Sequence, residues 1–173
     1  MKPRIIKDLS ENDYNKMEGV RSSIISIIDR QTLAHAKAKL DDWTQSDKGA
    51  LVIGAACHDI LLRPVVFAQK WGVLPDGYDG RTKDGKASKE LLQKTYGYNL
   101  LKQDEMLQLT QIQRGLLAHP SIKKILESIT DTEVSLQWHE HGLPCKARID
   151  AIAEINGATL LIDLKTSRSA DQR

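Results

Sequence analysis

The feature that most constrains this chain is a change of hydrophobic period near residue 130. Upstream, apolar residues recur at three- and four-residue spacing, as in helices with one buried face. Downstream, TEVSLQW alternates Val134, Leu136 and Trp138 with Glu133, Ser135 and Gln137, the period of two expected of a strand. CKARIDAIAEI and TLLIDLKTS read as two more strands, joined by Asn156-Gly157, a favoured pair for a two-residue hairpin turn. HGLP supplies the turn between the first two strands. Helices first and then an antiparallel meander predict a mixed α+β domain, helical to about residue 130 and β from about 131 to 168.

Within the helical part, residues 1–21 read as irregular. SSIISIIDRQTLAHAKAKLDDW reads as one helix capped by Ser22 or Ser23, with Ile24, Ile27, Ile28, Leu33 and Leu40 on its core face. TQSDKG, residues 44–49, is a polar loop. ALVIGAACHDILL is a buried helix whose small residues Gly54, Ala55 and Ala56 allow another element close, and Pro64 ends or restarts it. Residues 72–88, rich in glycine and charge, read as a long loop. Further helices are expected from about residue 88 to 95, 103 to 118, and 120 to 128.

The 173 residues suit a single domain, and 40% hydrophobic with 28% charged residues describe a globular chain rather than a disordered one. A net charge of +2, with no basic tail, is only a weak pull toward nucleic acid. Cys57 and Cys145 form no CxxC pair or disulfide framework and are too few for a four-thiolate iron–sulfur cluster, so free thiols are expected. The opening MKPRIIKDLSENDY lacks an apolar leader, and the longest apolar run, residues 51–57, is too short to span a bilayer. A soluble, cytoplasmic protein with no membrane association is the expectation.

The chemistry concentrates in RIDAIAEINGATLLIDLKT. Asp150 lies near the end of one expected strand; Asp163 and Lys165 lie two residues apart on the next and so project to one face, while Ile162 and Leu164 face the core. A hairpin at Asn156-Gly157 brings Asp150 to that face. Two carboxylates suit a hard divalent cation such as Mg²⁺, and a lysine beside them can orient or deprotonate a water and offset phosphate charge. On spacing alone, an ordinary surface pair is the commoner explanation of Asp163 and Lys165. An acid directly after the apolar run TLLI favours use, because a carboxylate ending a buried strand is costly unless paired. His58, four residues after Gly54 on one helical face, reads on its own as a hydrogen-bonded core histidine. His35 and His119 make no spaced metal motif, and His139 and His141 read as a solvated turn.

In their order along the chain, GAACHDILLRPVVF, RTKDGK, EVSLQW, CKARIDAI and LIDLKTS resemble the nuclease domain of the exonuclease VIII family, within the PD-(D/E)XK superfamily. LSENDYNKMEGVRSSIISII resembles the opening of that domain. The resemblance implies a restriction-endonuclease-like core in which His58, Asp150 and Asp163 are metal ligands and Lys165 is the catalytic lysine, acting with the two aspartates. Ile149 stands where the superfamily name has proline. Glu133 matches an accessory acid often found near such sites, although by its own position it reads as a solvated strand edge. Arg81, Lys83 and Lys86 match a basic loop suited to phosphate contact, against the equally open reading of an ordinary solvated loop.

The implied activity is Mg²⁺-dependent degradation of linear duplex DNA from 5′ ends, in recombination, with Mn²⁺ as a substitute and without ATP. Implied partners are double-stranded DNA ends, a single-strand annealing protein and further copies of the chain in a homo-oligomer. Relatives continue past the lysine with a helix and further strands, whereas this chain ends eight residues after Lys165, so the expectation is a prophage-type domain incomplete at its C-terminus. The alternative is an inactive remnant that binds DNA or protein, or a helical interaction module with an incidental hairpin.

Overall fold

The computed structural model describes residues 2–41 and 49–167. In chain order its elements are β1 (Arg4–Ile6), α1 (Glu11–Lys16), α2 (Ser22–Arg30), α3 (Leu33–Asp41), α4 (Gly49–Leu62), α5 (Pro64–Lys70) and β2 (Gly72–Val73). They continue with α6 (Lys83–Tyr96), β3 (Leu100–Leu101), α7 (Gln103–Ala118), α8 (Pro120–Glu127), β4 (Ile129–Glu140), β5 (Leu143–Ile155) and β6 (Ala158–Ile162). The fold is mixed α+β with an antiparallel meander at its C-terminal end, as the change of period predicts. Two compact units form: Met1–Ser46 with Ile129–Asp163, and Asp47–Ser128 with Leu164–Arg173.

The first unit is built on an antiparallel sheet in the order β1-β4-β5-β6. Its two long strands pair from Asp131↔Ile152 to Glu140↔Leu143, skipping Glu133 and Asp150, with a register shift at the start of β4. Two tight turns close the meander. His141 and Gly142 (φ 50° and 81°), and Asn156 and Gly157 (φ 54° and 79°), adopt the left-handed conformation of two-residue hairpin loops. Residues 1–21 are more regular than their sequence suggests, because β1 pairs with β4 and Ser10 caps α1 by accepting from the Asp13 N–H at 3.1 Å. Lys146 Nζ donates to the carbonyls of Tyr14 (3.0 Å), Asn15 (3.1 Å) and Met17 (2.6 Å), so a β5 cation closes the C-terminal end of α1. Gly19 then brings the chain against β5: a Cβ there would lie 2.9 Å from the Cys145 carbonyl carbon, and its φ is +145°.

The single helix expected from Ser22 onward is two, broken where Gln31 leaves helical geometry (φ −134°, ψ −129°). Its stripe is mostly not core either. Ile24 and Ala36 are buried and Ile27 is intermediate, whereas Ile28, Leu33 and Leu40 are exposed. The polar loop read at 44–49 lies outside the described residues except for Gly49, which opens α4.

In the second unit, α4 contributes Ala56, Cys57, Ile60, Leu61 and Leu62 to a core completed by Trp71, Leu74, Leu101 and Leu109. Gln113 on α7 donates to the Ile60 carbonyl at 3.0 Å, and β2 and β3 form a short parallel pair. Pro64 does restart the chain as the first residue of α5. Asp59, 1% exposed, ties α4 to that helix by accepting from Trp71 Nε1 (2.8 Å), Lys70 Nζ (2.9 Å) and Arg63. The long loop read at 72–88 is shorter, because α6 begins at Lys83. Thr82 caps it by accepting from the Gly85 N–H at 3.0 Å, with Asp84 in the first turn. Gly85 is required there: a Cβ would lie 2.0 Å from the Asp79 carbonyl oxygen. α7 and α8 span what the sequence predicts. Both cysteines are free thiols, and burial pushes the Cys57 thiol pKa up. Among the described residues no helix is long and apolar enough to cross a membrane.

Candidate metal-ligating sheet and its basic flank

The acids of the meander are placed by register. Ala151 pairs with Thr132 on one side and with Ile162 on the other. One step back along β5 comes Asp150, which the β4 ladder skips between Thr132↔Ala151 and Val134↔Ile149 and which lies one residue past the last β5–β6 pair. Asp163 directly follows Ile162, the last residue of β6, so Asp150 and Asp163 each come one residue past the same terminal pair of the β5–β6 ladder. Asp150 is half-buried and Asp163 exposed. Asp150 sits in the middle of β5 rather than near a strand end, because β5 runs on to Ile155.

Three expectations need correction here. β6 stops at Ile162, so Asp163 and Lys165 follow the strand and sheet geometry does not set their common direction. Nor is β6 a buried strand: it forms an edge of the sheet, and Leu161 is 68% exposed. Glu133 is not solvated: β1 pairs with β4 only from Ser135 to Gln137, but the Glu133 side chain is only 21% exposed. Its side chain is largely covered and its carboxylate Oε2 lies 2.7 Å from Arg148 Nε. That nitrogen has no directed hydrogen bond, so the pair is a charge contact with poor N–H alignment. Glu133 also holds φ at 55°, a left-handed conformation uncommon for a non-glycine residue and characteristic of functional or strained positions.

Arg148 is the residue that sequence reasoning missed. Two before Asp150, it shares that strand face. Its guanidinium lies over the Tyr14 ring (5.4 Å) and donates to the Leu9 carbonyl at 3.0 Å, so the N-terminal segment and Glu133 are held by one cation. The spacing of Arg148 and Asp150 in RID was the available signal.

The other residues singled out by sequence lie in the second unit. His58 is half-buried on α4. On the same helix, a Cβ at Gly54 would meet Thr166 Oγ1 at 3.4 Å, so the small residue does admit another element, the segment that carries Lys165. Arg81, Lys83 and Lys86 gather at the start of α6, all exposed. Arg81 is engaged in a two-pronged pair with Asp79, at 3.0 Å and 2.9 Å, which holds the Asp79 carboxyl below its usual range. Lys83 and Lys86 lie on the first turn.

Among the described residues, no three His, Cys, Asp or Glu side chains form a ready cage for a metal ion. Mg²⁺ does not require one, because it is usually held by one or two carboxylates and keeps several waters. Asp150 and Asp163 are carboxylates, the side-chain type such an ion takes, and Glu133 is turned to Arg148.

A mid-strand acid, and past the end of the neighbouring strand a second acid followed two residues on by lysine, match the residue pattern after which PD-(D/E)XK-like domains are named. The chain belongs to the family of PDDEXK-like domains of unknown function (DUF3799), whose model matches residues 21–173. No match was found among curated proteins or among solved structures.

Proposed function

We propose that this chain is a metal-dependent exonuclease that hydrolyses phosphodiester bonds of linear duplex DNA, from 5′ ends, in recombination. The observation that supports the reading is the last β5–β6 pair, Ala151↔Ile162, which leaves Asp150 and Asp163 each one residue past the end of that ladder. These carboxylates would hold Mg²⁺, for which Mn²⁺ could substitute, and His58 of α4 would be a further ligand. The ion, when bound, supplies Lewis-acid stabilisation of the phosphate and a lowered water pKa. Lys165 orients the attacking water and offsets developing negative charge. Glu133, fixed by Arg148, serves as an accessory acid that positions the strand face. Lys83 and Lys86, with Arg81, contact the phosphate backbone of the entering duplex. An annealing protein that takes up the resulting single strand and a homo-oligomeric assembly accompany this activity.

The test is degradation of end-labelled linear duplex DNA in Mg²⁺, with an EDTA control and the Lys165→Ala variant. Metal-dependent loss of label that falls by about a hundredfold or more in the variant supports the reading. Folded protein that leaves the duplex intact contradicts it and favours a module that binds without cleaving.

A further inference from the structure

The second unit carries a half-open cavity of about 480 Å³, within the roughly 300–1,000 Å³ range of ligand pockets. Tyr78, Tyr98, Lys89, Lys102, Gln93 and Leu100 line it. A smaller cavity of about 250 Å³ adjoins it, sharing Leu74, Tyr78 and Lys102. None of these residues belongs to the acidic sheet.

The composition of the walls is selective. Two phenol rings with Val52, Leu74 and Leu100 give apolar surface, and two ammonium groups stand beside them. Gln93 adds an amide able both to donate and to accept. The acid of the larger cavity, Glu105, is engaged, its carboxylate accepting the Lys102 backbone N–H at 2.8 Å at the start of α7. Tyr98 is 79% exposed, just after Gly97, whose φ of 60° turns the chain out of α6. An aromatic ring left so open on the lip of a cavity is a stacking surface. Tyr78 folds back over Gly80, where a Cβ would meet its hydroxyl at 2.7 Å. Gly80 therefore leaves room for that ring. Lys83, Lys86 and Lys89 recur every three residues along α6, a basic stripe that runs from the start of the helix to the cavity.

Aromatic faces interleaved with lysines along a groove are what a single strand needs, with bases on the rings and phosphates on the cations. We infer that this groove binds a single-stranded nucleic-acid segment, stacking a base on Tyr98 and Tyr78 and contacting backbone phosphates through Lys89 and Lys102. The site uses none of the residues of the acidic sheet and does not depend on cleavage.

The test is fluorescence anisotropy of a labelled oligo(dT) of about 15 nucleotides with the full chain in EDTA, so that no hydrolysis occurs. Tyr98→Ala is expected to weaken binding about tenfold, while Tyr98→Phe retains it, because stacking needs the ring and not the hydroxyl. Lys89→Glu is expected to weaken binding and to make the slope of log affinity against log salt shallower by about 0.7. Circular dichroism checks that each variant is folded. Undetectable binding by the wild-type chain, or equal binding by folded Tyr98→Ala and Lys89→Glu, overturns the inference. Competition by dTMP at the same concentration as the strand overturns it in favour of a free-nucleotide pocket. Loss confined to a duplex probe overturns it in favour of double-strand contact. Because no arm involves metal or hydrolysis, failure here leaves the nuclease reading untouched, and the reverse also holds.

Discussion

Ala151 faces Ile162 across the β5–β6 ladder as its last pair, and Asp150 and Asp163 each come one residue past it. A slip of one residue in the ladder would change which β5 residue comes level with the start of the segment that carries Asp163. The register depends on the turn between the strands, where Asn156 and Gly157 are both left-handed. Gly157→Val places a β-branched residue at φ 79°, and a loss of about 1–2 kcal/mol is expected. Urea unfolding measures it, and an unchanged midpoint would show that the turn does not set the register.

Asp59 is the strongest buried electrostatic feature of the second unit. Burial alone would raise its carboxyl pKa, but hydrogen bonds from Trp71 and Lys70, with the charges of Lys70 and Arg63, outweigh that and hold it below its ordinary 3.8. A depressed folded pKa contributes stability that is fully present above the unfolded value and is lost as pH falls through the folded one. Stability is therefore expected to fall below about pH 3.8 in wild type, and less steeply in Asp59→Asn. At neutral pH Asp59→Ala removes the partner of three donors, and a loss of about 3–5 kcal/mol is expected. Unfolding measured at several pH values checks both statements.

Gly85 sits in the first turn of α6 beneath the Asp79 carbonyl. Gly85→Ala forces the loop and the helix start apart, and a loss of about 2 kcal/mol is expected despite the better helix propensity of alanine. A stabilised Gly85→Ala variant would contradict the close approach.

Cys57 is buried with a raised pKa, whereas Cys145 is partly accessible on β5. In native protein Cys145 is expected to react first with a thiol reagent, and Cys57 only on unfolding. Mass mapping of the labelled peptides decides between them.

Much of this architecture is legible in the sequence, because period-two alternation and an Asn-Gly pair are local signals. Those signals locate β4, β5 and the hairpin, and the company of Asp150, Asp163 and Lys165 points to the family. What escaped is non-local or conformational. β1 exists only because β4 offers it a partner, and α1 because Lys146, some 130 residues away, closes its end. The extension of α6 to Lys83 hides behind Gly85, which looks like a loop residue until the Asp79 carbonyl is placed against it. The break at Gln31 carries no proline or glycine to announce it. Glu133 could not be separated from a solvated edge by alternation alone, since its partner Arg148 is chosen by register and its left-handed backbone by the sheet around it. The exposure of β6 was misjudged because an apolar run reads as buried whether or not a further element covers it.

The most direct test is titration of Mn²⁺ into the wild-type chain, Asp150→Asn and Asp163→Asn, followed by calorimetry. If the β5–β6 register builds a metal site, wild type binds and each variant loses about tenfold or more in affinity while unfolding at a similar urea midpoint. Equal Mn²⁺ affinity in all three proteins would contradict a metal held by these two carboxylates.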